Sequence, residues 1–326
     1  MAQRDFDVVG VGNALVDVLA RVEDSFLASH GLTKGTMRLI DAAEASALYE
    51  VMPPAQETSG GSAANTLAAF ASLGGRGGFI ARTGKDELGD VFAHDMRAQG
   101  VVFAEGARDE SLPTGRCLIA VTPDGERTMN TSLGCNVNFG PEDLSAQMIA
   151  NARVVYLEGY LFDQPSAKLA YRTSARIARE AGSEVALTLS DRFCVERHRD
   201  DFLALVRDEV DILFANEGEI TALYQTDNFD AAAAQVKGHC KIAVLTRSEK
   251  GATILSGSDV FHVPAAPVAR VVDLTGAGDA FAAGFLHGYT QNLGLVRAGQ
   301  IGAVSAAEVI SHFGARPEVK LATLVA

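Results

Sequence analysis

The chain has 326 residues, 48% hydrophobic and 21% charged, the balance of an ordinary globular protein with room for a large buried core. Its 41 Asp and Glu against 28 Lys and Arg leave a net charge of −13, which excludes a general nucleic-acid binder, because affinity for a phosphate backbone comes from clustered Lys and Arg. A small anion held at a local site stays open.

The first twenty residues carry Arg4, Asp5, Asp7 and Asp17, unlike a secretory leader, and no apolar run nears the roughly 20 residues of a membrane helix. The expectation is a soluble, cytoplasmic protein with neither a membrane nor a nucleic-acid partner. In chain order, short apolar runs alternate with longer helical patterns. Strands are expected at Asp7–Val11, Gly77–Ala81, Val154–Glu158, Val185–Leu189, Ile212–Ala215 and Ile242–Thr246. Helices are expected at Ala64–Leu73, Leu88–Gln99, Pro165–Ala181, Asp200–Val206 and Ala231–Lys237, then at Ala280–Tyr289 and Val296–Ser311. This alternation predicts an α/β fold with a mostly parallel sheet covered by helices, whose ligands lie beyond the carboxyl ends of the strands. Residues 15–40 and 114–130 read instead as short strands and turns, with a hairpin at Pro123-Asp124-Gly125. They predict a small β layer, inserted in two pieces at about 15–40 and 105–132, that covers a cleft in one domain spanning 1–326.

Val271-Val272-Asp273-Leu274-Thr275-Gly276-Ala277-Gly278-Asp279 runs through a small-residue turn into a helix. The backbone N–H groups of Gly276, Ala277 and Gly278 can converge there on an anion. Asp279 reads either as a favourable first-turn acid or as a base that takes a hydroxyl proton during phosphoryl transfer. Ser59-Gly60-Gly61-Ser62-Ala63-Ala64-Asn65 also leads into a helix, by packing or by close approach to a ligand. Gly10-Val11-Gly12-Asn13-Ala14-Leu15-Val16-Asp17 departs from a dinucleotide fingerprint, because Leu15 stands at the third glycine position and a strand follows. Asp17 is either an exposed strand-end acid or an acceptor for a pair of hydroxyls.

Asn216-Glu217-Gly218-Glu219 fits a capping box, and its oxygens also suit a hydrated Mg²⁺, two roles that can coexist. Thr246 to Gly251 offers hydroxyl and backbone donors at the same sheet edge, and Arg127 on the hairpin is a solvated charge or a lid residue that reaches an anion. Cys117, Cys135, Cys194 and Cys240 are scattered without a paired spacing, as reduced thiols are.

In their order, these motifs resemble the PfkB or ribokinase-like family of ATP-dependent carbohydrate and nucleoside kinases, over nearly the whole chain. Gly12 to Asp17, Pro113-Thr114-Gly115, Val154 to Tyr160 and Val210 to Asn216 look closest to its adenosine kinases. The resemblance implies a three-layer α/β/α core with a small β-sheet lid, Asp279 as catalytic base, and Gly276, Ala277 and Gly278 as the anion hole. It implies that Asn13, Asp17, Gly60, Gly61 and Asn65 contact the sugar, and that Leu161 or Phe162 flanks a purine. Asn216, Glu219, Thr246, Gly251 and Arg127 would serve ATP, with Mg²⁺ held near Glu219 through water. Asp273-Leu274 lies where some members bind a monovalent cation, although Leu274 replaces a Thr or smaller residue. Asp191 is an acid that the resemblance does not account for. The expected activity is transfer from ATP to the 5′-hydroxyl of adenosine or a related ribonucleoside, by a monomer or homodimer. The alternative is a kinase of a free sugar such as ribose or fructose.

Overall fold

The structure, a computed structural model, describes residues 4–106 and 108–325. Residues 1–3, 107 and 326, which the expected boundaries 1–326 and 105–132 take in, lie outside the described residues. The chain opens in β1 (Phe6–Val11) and passes after three residues into β2 (Leu15–Arg21), β3 (Met37–Leu39) and β4 (Gln56–Gly60). Next come β5 (Gly77–Ala81), β6 (Val102–Glu105), β7 (Gly115–Val121) and β8 (Arg127–Ser132). The later strands are β9 (Ala152–Glu158), β10 (Glu184–Thr188), β11 (Ile212–Asn216), β12 (Ile242–Thr246), β13 (Ala252–Ser256) and β14 (Asp259–Val263).

The large sheet runs β14-β13-β12-β11-β10-β9-β1-β5-β6, parallel from β12 to β6 and ended by an antiparallel hairpin of β13 and β14. Its central strands are apolar at successive positions because both faces are covered. Val9, Val155, Leu187 and Leu213 face one core beneath helices that include Pro165–Glu180 and Arg199–Asp208. Val8, Val154, Ala186 and Ile212 face the other, beneath Ser62–Ser72, Ala277–Thr290 and Leu295–Val309. The last two helices approach closely enough that a β-carbon on Gly284 would stand 2.6 Å from Gly302 Cα.

The small sheet runs β3-β8-β7-β2-β4. Its outline corrects the expected lid boundaries, because β4 pairs antiparallel with β2 well beyond residue 40, while β6 joins the large sheet. The sequence Gln56-Glu57-Thr58-Ser59-Gly60 hides β4, since this edge strand buries only its last two residues. The first insert also holds helices Asp24–Ser29 and Ala42–Val51 as well as strands. Asp86 joins core to lid: its side chain caps helix Glu87–Ala98 through the Gly89 amide at 2.9 Å and accepts from the Thr114 amide and hydroxyl at 2.7 and 2.6 Å, just ahead of β7.

Candidate active site

A cavity of about 950 Å³ lies between the two sheets, at the carboxyl ends of the large sheet's strands. Asn13, Asp17, Gly61, Asn65, Arg127, Asn216, Glu219, Thr246, Gly251, Gly276, Ala277, Gly278 and Asp279 all line it, although they come from opposite ends of the sequence. Gly60, Phe162 and Asp273 do not.

Gly276 adopts the left-handed backbone at φ +77°, which glycine takes without strain, and helix Ala277–Thr290 starts directly after it. Asp279 stands in the first turn, where the helix end favours negative charge. Ser62 Oγ donates to Asp279 Oδ1 at 2.6 Å and Asn65 Nδ2 to Oδ2 at 3.3 Å. Burial pushes the Asp279 carboxyl up to about 6, against the pull of those two bonds and of Arg127 and Arg316. A carboxylate with that affinity for protons is suited to remove one near neutral pH. The Ala277 amide turns back to the Leu274 carbonyl at 3.3 Å, whereas Gly278 is exposed with open space at its α-carbon.

Beside the β1–β2 link, fully buried Glu158 uses both oxygens: Oε1 takes Asn13 Nδ2 at 2.7 Å and the Asn13 amide at 3.3 Å, and Oε2 takes the Ala63 amide at 2.7 Å. Asn13 Oδ1 and Asn65 Oδ1 are buried acceptors with no partner among the described residues. Both belong to residues of the cavity wall, so each suits a hydroxyl donor from a ligand. Asp17 is 5% exposed, and burial pushes its carboxyl up to about 7. Its carboxylate lies against Gly60, where a β-carbon would overlap it, and a β-carbon on Gly61 would overlap the Asn13 carbonyl oxygen. The pair of glycines is therefore a steric requirement of this floor.

On the opposite side, Asn216 and Thr246 are paired in register at the ends of β11 and β12. The capping box forms in full: Asn216 Oδ1 takes the Glu219 amide at 2.9 Å, while Glu219 takes the Asn216 amide at 2.9 Å and Nδ2 at 2.6 Å. Glu219 is 5% exposed and burial pushes it up to about 7. Among the described residues no group of three His, Cys, Asp or Glu gathers for an ion. Gly251 has φ +82°, with Val263 O so close that no β-carbon fits. Arg127 Nη1 donates to the Leu274 carbonyl at 2.8 Å, tying the lid to the glycine turn.

One sequence expectation needs correction, and two acids take on structural roles. Phe162 is 2% exposed and its ring stacks on Phe202 with centroids 4.4 Å apart, so it packs in the core beneath the site, while Tyr160 and Asp163 reach the cavity. Asp273 is fully buried, with Oδ1 taken by the Thr275 amide and hydroxyl at 2.9 and 2.6 Å and Oδ2 by the Gly314 amide at 2.9 Å. That carboxylate braces the turn at Thr275 against Gly314. Asp191 now has a physical account: it caps helix Arg192–Arg197, accepting from the Phe193 and Cys194 amides at 2.7 and 3.2 Å. Sequence reasoning missed Ser62 as a residue of the cavity wall and Arg316 as a support behind it. Ser62 lies inside the glycine motif and was within reach, whereas Arg316 contacts Ser59 across 257 positions with no local signal.

A family model for pfkB family carbohydrate kinases matches residues 27–321. The chain belongs to the PfkB family. Two solved structures are each 49% identical over 98% of both chains: an adenosine kinase from Sinorhizobium meliloti, TM-score 0.95, and a probable sugar kinase protein from Rhizobium etli CFN 42, TM-score 0.96. An ATP-dependent ribose-1-phosphate kinase from Halopiger xanaduensis is 34% identical over 71% of this chain and 73% of its own length. The fold is ribokinase-like, and this PfkB member is a phosphotransferase that acts on an alcohol group of a small molecule. No helix among the described residues is long and apolar enough to cross a membrane.

Proposed function

We propose that this PfkB kinase transfers the γ-phosphoryl group of ATP to the 5′-hydroxyl of adenosine or a related ribonucleoside, with Asp279 as general base. The observation that carries the reading is the meeting, in one cavity, of Asp279 on the glycine turn with the unpartnered acceptors of Asn13 and Asn65 and the carboxylate of Asp17. Ribose hydroxyls donate to those oxygens, which turns the remaining hydroxyl toward Asp279. Met37, Leu39, Ile119, Met129 and Leu133 of the lid wall supply an apolar slot for a flat base. A free sugar, by contrast, needs polar partners around most of its ring.

Asp279 accepts the hydroxyl proton as the oxygen attacks phosphorus, while backbone N–H groups of the glycine turn hold the equatorial oxygens. Thr246 and Gly251 hold the nucleotide, and the lid keeps water out of the cavity. Bound near Glu219, Mg²⁺ supplies charge neutralisation on the transferring group.

The test is ATP consumption with adenosine, other ribonucleosides, ribose, fructose and ribose 1-phosphate in parallel. Turnover of ribonucleosides, adenosine foremost, is expected. Turnover confined to free sugars or to the sugar phosphate replaces the nucleoside reading with a carbohydrate one.

A further inference from the structure

The segment that follows helix Leu295–Val309 touches both halves of the site. The Gly314 amide holds Asp273, and Ala315 packs under the glycine turn so that a β-carbon on Gly276 would stand 2.7 Å from Ala315 Cβ. Arg316 reaches the acceptor floor. Its Nη2 donates to Ser59 O at 2.8 Å and to Ser59 Oγ at 3.1 Å, and its Nη1 to Gln99 Oε1 at 2.9 Å. Ser59 is fully buried, its amide donates to Asp95 Oδ2 at 3.3 Å, and the next residue is Gly60, on which the Asp17 carboxylate rests. Three consecutive residues thus set the distance between the phosphoryl turn and the acceptor floor.

We infer that Arg316 is a positioning residue for the acceptor, fixing through Ser59 the Gly60 surface on which the Asp17 carboxylate rests. The inference rests on the acceptor role proposed for Asp17. The charged groups that face Asp17 are Arg316, Asp279, Glu158 and Asp273, with Cys117 paired to it on β7. Arg316 is the cation among them, and it opposes the burial that pushes Asp17 up to about 7. Burial brings Arg316 itself down to about 10, against Asp17, Asp95 and Asp279, so the guanidinium stays charged at neutral pH. An arginine suits the place because the two nitrogens of its planar fork reach separate partners, Nη2 the carbonyl and hydroxyl of Ser59 and Nη1 the Gln99 side chain, a double grip that a lysine cannot reproduce.

The experiment compares Arg316→Met and Arg316→Lys with the wild type, measuring kcat and both KM values from pH 5.5 to 8.5 on whichever acceptor the wild type turns over. Arg316→Met should raise the acceptor KM at least about tenfold, leave the ATP KM within about twofold, and move the acid limb of the acceptor 1/KM to higher pH. Arg316→Lys should keep that limb near the wild-type position while still raising the acceptor KM, a split that loss of packing alone does not produce. A folded Met variant whose acid limb coincides with the wild type overturns the inference, as does a kcat loss with unchanged acceptor KM. Should the Met variant fail to fold, a wild-type acceptor KM in the Lys variant overturns it. Turnover of free sugars alone ends the nucleoside reading and leaves Arg316 to be judged on that sugar, whereas absence of any turnover ends both.

Discussion

The carboxylate of Asp17 lies directly over the bare α-carbon of Gly60, on the neighbouring strand of the small sheet. The two residues make one surface, and neither could hold its place if the second carried a methyl group there. Gly60→Ala must therefore displace Asp17 or shift β4. Overpacking of this kind costs about 1–3 kcal/mol, and a displaced acceptor group should raise the acceptor KM at least about tenfold. Thermal melts and steady-state kinetics check both effects, and a wild-type acceptor KM would show that Asp17 does not bear on the substrate.

Asp279→Asn keeps the shape of the side chain but removes the group proposed as the base. Its kcat is expected to fall at least about 100-fold while the acceptor still binds. In the wild type, kcat/KM for the acceptor should decline as pH falls through about 7, where Asp17 takes up its proton, and further through about 6, where the Asp279 carboxyl does. Calorimetric binding of the acceptor alongside turnover separates lost chemistry from lost binding, and near-normal turnover in the Asn variant removes Asp279 from the mechanism.

The buried carboxyls also make a prediction about stability. Burial pushes Glu158 from an ordinary 4.5 up to about 7, and Asp17 and Glu219 also reach about 7. Between the ordinary and the raised values the folded chain holds protons that the unfolded chain has released, so stability falls as pH rises from about 4.5 through about 7. Each such group contributes at most about 1.4 kcal/mol per pH unit in that window. The melting temperature should drop between pH 5 and pH 8, and less steeply in Glu158→Gln.

Asp191→Ala tests a residue for which the sequence offered no role. Losing its two amide contacts should destabilise the fold by about 1 kcal/mol, as for other helix caps. Denaturant melts measure this, and unchanged stability would mean that Ser190, at φ +70°, holds the turn without help.

The central strands were legible because burial on both faces writes an unbroken apolar run, as in residues 154–157, and the glycine turns because few other residues permit their backbone. β4 was not legible, because an edge strand can be polar without penalty. Phe162 misled for a related reason: an aromatic near a strand end has the same spelling whether it faces the cavity or the core beneath it. Asp273 shows the same limit for a carboxylate, whose donors Thr275 and Gly314 are settled only by tertiary structure. Arg316 needed the fold itself, since its partners lie more than 200 positions away.

Between β1 and β2 stand only Gly12, Asn13 and Ala14, and each is held from a different direction. The Gly12 amide bonds Ile80 O at 3.3 Å, Asn13 is gripped by Glu158, and Ala14 exchanges two 3.0 Å hydrogen bonds with the side chain of Asn136. A link so short and so fully bonded is a poor hinge, although it is where the two sheets meet. The floor proposed for the acceptor is accordingly preorganised: the conformational freedom of these residues was given up during folding, and a ligand bound there would not have to order them again.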